Sequence, residues 1–146
     1  MSIQIAEFDF QILGCFPIIF QLRPHLEEAK FTEQVRYQMK EGYQLAFLEL
    51  DEQAVAVAGF RIYTSLASGK FLYIDDLIVD ELKRCLRRAT PTQGYGKQLF
   101  KWLIEYAKNH GCEHLSLDSG VQRFAAHRFY LMERMRITSH HFSMEL

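Results

Sequence analysis

The chain has 146 residues, 49% of them hydrophobic and 14% aromatic, which supports an ordinary packed core and excludes a disordered polymer. Its formal net charge of −1 excludes bulk attraction to nucleic acid or to an anionic membrane surface. The three cysteines, Cys15, Cys85 and Cys112, are odd in number and share no C-x-x-C spacing, so neither a disulfide framework nor a zinc site follows.

The length fits one domain over residues 1–146. Ile3 and Ile5 alternate with polar neighbours, which predicts a first strand over residues 2–8. Ile12, Phe16, Ile19 and Phe20 recur at helical spacing over residues 10–22, and Arg23-Pro24 ends that helix. Residues 12–20 are apolar but too short, and interrupted by Pro17, for a membrane span. The N-terminus carries no signal-peptide pattern, and a cytoplasmic location is expected. A second helix starts at Phe31-Thr32, continues through Val35 and Met39, and closes at Gly42.

Strands then dominate. Residues 43–50 and 53–63 flank a short hairpin at Asp51-Glu52, and Ser68-Gly69 turns the chain into a third strand over residues 70–79. Three antiparallel strands in sequence form a meander. Leu99, Phe100, Leu103, Ile104 and Ala107 give a helix over residues 96–110 a wide apolar face, and Gly111 is placed to end it. Residues 113–118 read as a strand, so strand, loop, helix and strand imply a right-handed parallel crossover. Val121, Ala125, Phe129 and Met132 predict the buried stripe of a last helix. Residues 136–146 predict a closing strand that could pair across a homodimer. The expected fold is α+β, a twisted mixed β-sheet with helices on both faces.

The most informative stretch is residues 79–99, where a β-branched strand ends, a basic loop follows, and Gly94 and Gly96 open the amphipathic helix. Backbone N–H groups at a helix start have no intrahelical acceptor and sit at the positive end of the helix dipole. Glycines let a ligand approach that backbone closely, so the natural guest is a phosphate or pyrophosphate. A Walker loop does not fit, because Gly96-Lys97 is followed by Gln98 and Pro91 stands at the first glycine position. A dinucleotide fingerprint does not fit either, because Leu99 replaces its third small residue. The basic cluster of Lys83, Arg84, Arg87 and Arg88 is either a solvated loop or a contact for a phosphorylated ligand.

The segment P-T-Q-G-Y-G resembles the acyl-CoA loop of the GNAT superfamily of N-acetyltransferases, whose pattern is [RQ]-x-x-G-x-[GA] after a strand ending in valine. Excising residues 85–91 leaves R-T-Q-G-Y-G, beginning at Arg84, which implies a short insertion that splits the motif. The strand F-L-Y-I-D-D-L-I-V over residues 71–79 resembles the family's central strand. The segment A-H-R-F-Y over residues 126–130 resembles its A-x-x-[LF]-Y helix. Arg123 stands where the family often has Asn, and Arg134-Met135 replace the usual G-F. The resemblance implies an acetyl-CoA-dependent N-acetyltransferase with one GNAT-like domain. It also implies that the backbone of Leu77, Ile78 and Val79 hydrogen-bonds the pantetheine arm like an added strand.

Acyl transfer from a thioester to an amine requires a held donor, a neutral amine and stabilised charge on oxygen and sulfur. Backbone contacts of Gln93, Gly94, Tyr95, Gly96 and Lys97 supply the first, with Arg84 completing the motif. A free alkyl ammonium has a pKa of about 10.4 and must lose a proton before attack. Asp75 and Asp76 are the candidate bases; strand alternation lets only one face the acceptor groove. Asp75 matches the base position of polyamine-acetylating relatives, directly or through water, whereas either carboxylate could instead cap a loop or bind substrate charge. Tyr130 is the candidate acid, since a phenol can protonate a departing thiolate, and Ala126 leaves room for the cofactor beside it. A metal is not expected: His140 and His141 are adjacent on a predicted strand and face opposite ways, and His127 reads as a hydrogen-bonding helix residue. The resemblance implies a small-molecule or peptide amine as acceptor, with small amine, antibiotic, peptide N-terminus and protein lysine all left open by the sequence. A non-catalytic acyl-CoA-binding or regulatory module is the alternative, since the insertion could deform the loop.

Overall fold

The computed structural model describes residues 2–86 and 94–146. In chain order the elements are β1 (Ser2–Ile5), α1 (Asp9–Leu22), α2 (Glu28–Met39), β2 (Gln44–Leu50), β3 (Gln53–Ser65), β4 (Gly69–Val79), α3 (Glu81–Leu86), α4 (Tyr95–Asn109), β5 (His114–Leu117) and α5 (Phe124–Met132). The strands form one mixed sheet in the order β1-β2-β3-β4-β5, and each neighbouring pair from β1 to β4 is antiparallel. Asp51 and Glu52 both take left-handed φ values, 51° and 60°, which lets a two-residue connection follow the twist of β2 and β3.

Period-two patterning decides which helix each strand residue meets. Leu45, Phe47 and Val57 pack with Ile12, Cys15, Phe16, Ile19, Phe31 and Val35 under α1 and α2. Phe60 instead meets α4, edge-on to Trp102 at 6.3 Å and to Tyr106 at 5.2 Å between ring centroids. The Tyr106 hydroxyl donates to Gln44 Oε1 at 2.8 Å, fastening α4 to the sheet. The helices therefore cover both faces, and the α+β reading holds. No helix among the described residues is long and apolar enough to cross a membrane.

The chain divides into two compact units, Met1–Ser116 and Leu117–Leu146. The first contains the helices α1–α4 and nearly all of the sheet.

Several expectations are corrected. The first strand stops at Ile5, because the chain must leave the sheet before Asp9 opens α1. Asp80 ends β4 and a six-residue helix, α3, follows, so Cys85 and Leu86 are helical and not part of an irregular loop. Residues 87–93, which contain the rest of the inferred insertion and Gln93, lie outside the described residues. The stripe assigned to the last helix is not buried: Val121 precedes α5 and is 85% exposed, and Met132 is 82% exposed. α5 is short, and its less exposed positions are Ala126, His127, Phe129 and Tyr130. Residues 136–146 form no strand and are exposed throughout. Alternation alone does not make a strand, which needs a neighbour to accept its ladder of hydrogen bonds.

Candidate active site

Strands β3 and β4 pair in register until the site itself. Gly59 lies opposite Asp76 and Phe60 lies opposite Ile74, so Asp75 is an extra residue, a β-bulge in β4. A bulge cancels the alternation of side chains at that point. The Asp76 carboxylate accepts from Arg23 Nε at 3.0 Å and from the Tyr43 hydroxyl at 2.9 Å. The Asp75 carboxylate accepts from Arg61 Nε at 3.0 Å, and the Arg61 guanidinium lies over the Tyr43 ring, 5.6 Å from its centroid. Both carboxylates thus gather around Tyr43, on the α1 side of the sheet. The register shift removes the strict alternation on which the expectation of a single groove-facing carboxylate was based.

Each partner arrives from a different element. Arg23 caps the C-terminus of α1 and also donates through Nη2 to the Asp75 carbonyl at 3.2 Å, so it holds both residues of the bulge. Tyr43 stands just before β2, and its ring occupies the space that a side chain on Gly59 would need. Burial raises the Tyr43 pKa well above the ordinary phenol value, and the neighbouring Asp76 charge adds to the rise. Its hydroxyl is therefore a fixed donor.

The Asp75 pKa is raised above the ordinary carboxylate value. Burial is the main cause; the hydrogen bond and charge of Arg61 pull it back, and Asp76 pushes it up. A carboxylate that holds its proton more tightly is a stronger base. Asp75 and Arg61 are each about a quarter exposed, at 25% and 26%. They line a cavity of about 400 Å³ together with Glu41, Ile62, Tyr63 and Tyr73. Arg23, Tyr43 and Arg61 were missed by sequence reasoning. For Arg61 a signal existed, as a single cation within the apolar run of β3.

At the other end of β4, Ile78 packs against the core under α1 and α2, while Leu77 and Val79 pair with Ala58 and Ala56. Strand β5 has four residues against the eleven of β4, so it can match only part of its length. Gly94 is the N-cap of α4, and the first intrahelical bond there runs from Gln98 N–H to the Gly94 carbonyl at 3.1 Å. The earlier N–H groups of Tyr95, Gly96 and Lys97 lie at the positive end of the helix dipole. Gly94 has φ −58° and ψ 149°, which any residue adopts, and a Cβ there would meet no atom of the described residues within 4 Å. Nothing among the described residues requires glycine at this position. The N-terminus of α4, the positive end of its dipole, fits the pyrophosphate of a coenzyme A molecule. Arg84 falls within α3.

In the second unit, Ala126 and Tyr130 stand one turn apart on α5, both half-buried. Burial raises the Tyr130 pKa, with Arg123 opposing, so the phenol keeps its proton at neutral pH. His127 Nε2 lies 2.8 Å from the Gly120 carbonyl, the hydrogen-bonding role expected of it. His141 Nδ1 is 3.4 Å from Asp118. No group of three or more His, Cys, Asp or Glu side chains among the described residues is arranged to hold a metal ion.

The profile of the Acetyltransferase (GNAT) family matches residues 10–134. The chain is 32% identical over 116 residues to the uncharacterized N-acetyltransferase YhdJ of Bacillus subtilis (strain 168), covering 79% of this chain and 77% of that protein. Its fold is similar to that of the ribosomal-protein-alanine N-acetyltransferase from Brucella melitensis biovar Abortus 2308, with a TM-score of 0.79, 11% identity and complete coverage of both chains. It is also similar to the aminoglycoside N-acetyltransferase AAC(6')-Iy in complex with CoA, with a TM-score of 0.76, 13% identity and 99% and 98% coverage. The family profile spans most of the chain, and with it the bulged β4 strand and the glycine-opened α4 helix: this protein belongs to the GNAT family of acetyltransferases.

Proposed function

We propose that this enzyme transfers the acetyl group of acetyl-CoA to an amine by direct attack within a ternary complex. The observation that carries the reading is Gly94, a glycine at the start of α4 that no described residue requires and whose Cβ position has no described atom within 4 Å. Backbone N–H groups of Gln93, Gly94, Tyr95, Gly96 and Lys97 bind the pyrophosphate, and Arg84 adds a charge beside it. The backbone of Leu77, Ile78 and Val79 hydrogen-bonds the pantetheine arm, and Ala126 leaves room for it.

Asp75 accepts the proton of the acceptor ammonium, directly or through one water, and its raised pKa favours that transfer. The freed nitrogen lone pair forms the new C–N bond as the C–S bond breaks. Tyr130 gives its proton to the departing thiolate, a role that its half-buried, protonated phenol supports. Residues 1–146 act as one acetyltransferase domain, a reading supported by a family match over residues 10–134 that runs through both compact units.

The experiment is an amine panel with acetyl-CoA, following free thiol release and acetylated product by mass spectrometry. Acetylation of at least one primary amine at a rate above the uncatalysed background supports the reading. CoA binding with no acetyl transfer to any amine would leave a non-catalytic acyl-CoA-binding module.

A further inference from the structure

The ion pair between Arg61 and Asp75 is only half used. Arg61 spends Nε on Asp75 Oδ2 at 3.0 Å, and among the described residues neither its two terminal nitrogens nor Asp75 Oδ1 makes a hydrogen bond. Both side chains line the cavity beside the bulge. Side by side, the pair offers guanidinium N–H donors and a carboxylate oxygen acceptor. A ligand satisfies both only if it carries a donor and an acceptor on neighbouring atoms.

The charges narrow the class further. Asp75 compensates Arg61, and Glu41, exposed at the cavity rim, has no ion-pair partner among the described residues. The net negative lining draws in an ammonium group. A second ammonium would meet Arg61, so a simple diamine is disfavoured, whereas a carboxylate or amide oxygen would receive its N–H donors in fork geometry. Tyr63 and Tyr73 supply apolar surface for a side chain.

We propose that this cavity is the acceptor site and that it selects an α-amino carbonyl compound, with the amine toward Asp75 and the carboxylate or amide oxygen on Arg61. This inference rests on the acetyl-transfer reading above. Arg61 is then the residue that determines acceptor specificity. The shared chemistry has two sources, a free amino acid or the N-terminus of a peptide, and an amino-acid amide mimics the second.

The test compares kcat/KM with acetyl-CoA, expressed per concentration of neutral amine, for matched triplets drawn from the natural amino acids: each amino acid, its amide and its decarboxylated amine. The wild type should favour the acid or the amide over the plain amine by roughly tenfold or more, as expected when a site built to hydrogen-bond a group meets an analogue lacking it. Preference for the acid identifies a free amino acid as acceptor, and preference for the amide a peptide N-terminus. Arg61→Gln should reduce the ratio to near one, and Arg61→Lys should retain part of it. Because Arg61 also acts on Asp75, the ratio within each variant is the readout, since any change in the base is common to all three substrates. Equal or better use of the plain amine by the wild type overturns the proposal, as does a ratio unchanged in a folded Arg61→Gln variant. Acetylation of other amines with none of the triplets also overturns it while leaving acetyl transfer standing. Failure of CoA binding by calorimetry would overturn the acetyl-transfer reading itself.

Discussion

The Tyr43 ring fills the space above Gly59 and carries its hydroxyl 2.9 Å from the Asp76 carboxylate, directly across the strand pair from the bulge. Gly59 thus serves the site by having no side chain. A methyl group there would overlap the ring, with an expected cost of about 1–3 kcal/mol from overpacking. Gly59→Ala should lower the urea midpoint at unchanged m-value, and a wild-type midpoint would show that the ring has room to move.

Removing only the hydroxyl separates polarity from packing. Tyr43→Phe keeps the ring but leaves Asp76 with Arg23 alone, and should cost about 1–2 kcal/mol. The same denaturation curves measure it. An effect as large as that of deleting the whole side chain would assign the stability to something other than packing.

The pH dependence of catalysis follows from the signs at Asp75. Burial raises its pKa and Arg61 lowers it, so the acid limb of kcat/KM should titrate above the ordinary carboxylate value. Deleting Arg61 removes the lowering influence, and Arg61→Gln should move that limb to higher pH. Asp75→Asn should abolish the limb together with most activity. Limbs that coincide in wild type and Arg61→Gln would mean that another group titrates.

Tyr130→Phe should reduce turnover by roughly ten- to a thousandfold while leaving CoA affinity within a few-fold, the range that loss of general-acid help allows. Rapid-mix kinetics and a CoA titration on the same preparation separate the two. Unchanged turnover would reduce Tyr130 to a packing residue.

Much of the framework was legible in the sequence because it depends on local pattern. The meander of β2, β3 and β4 follows from alternation and from Asp51-Glu52. α4 follows from its wide apolar stripe, and its start from Gly94. The bulge was not legible, since a register shift is a property of two strands together and Asp75-Asp76 alone reads as ordinary alternation. The Arg23–Asp76 and Arg61–Asp75 pairs join residues 53 and 14 positions apart and become visible only once the sheet is paired. α5 and the segment after it were misread for a related reason. Short apolar patterns do not reveal whether a packing or pairing partner is present.

The most direct test of the account is a calorimetric titration of CoA into the wild type and into Gly94→Asp. No described atom lies within 4 Å of a Cβ at position 94, the backbone angles are ordinary and aspartate is a favoured N-cap, so stability should be unchanged or higher by up to about 1 kcal/mol. Its carboxylate would stand where a phosphate belongs. The wild type should bind CoA saturably, and Gly94→Asp should lose most of that binding while being at least as stable. Equal affinity in the folded variant would contradict it and move the cofactor away from the start of α4.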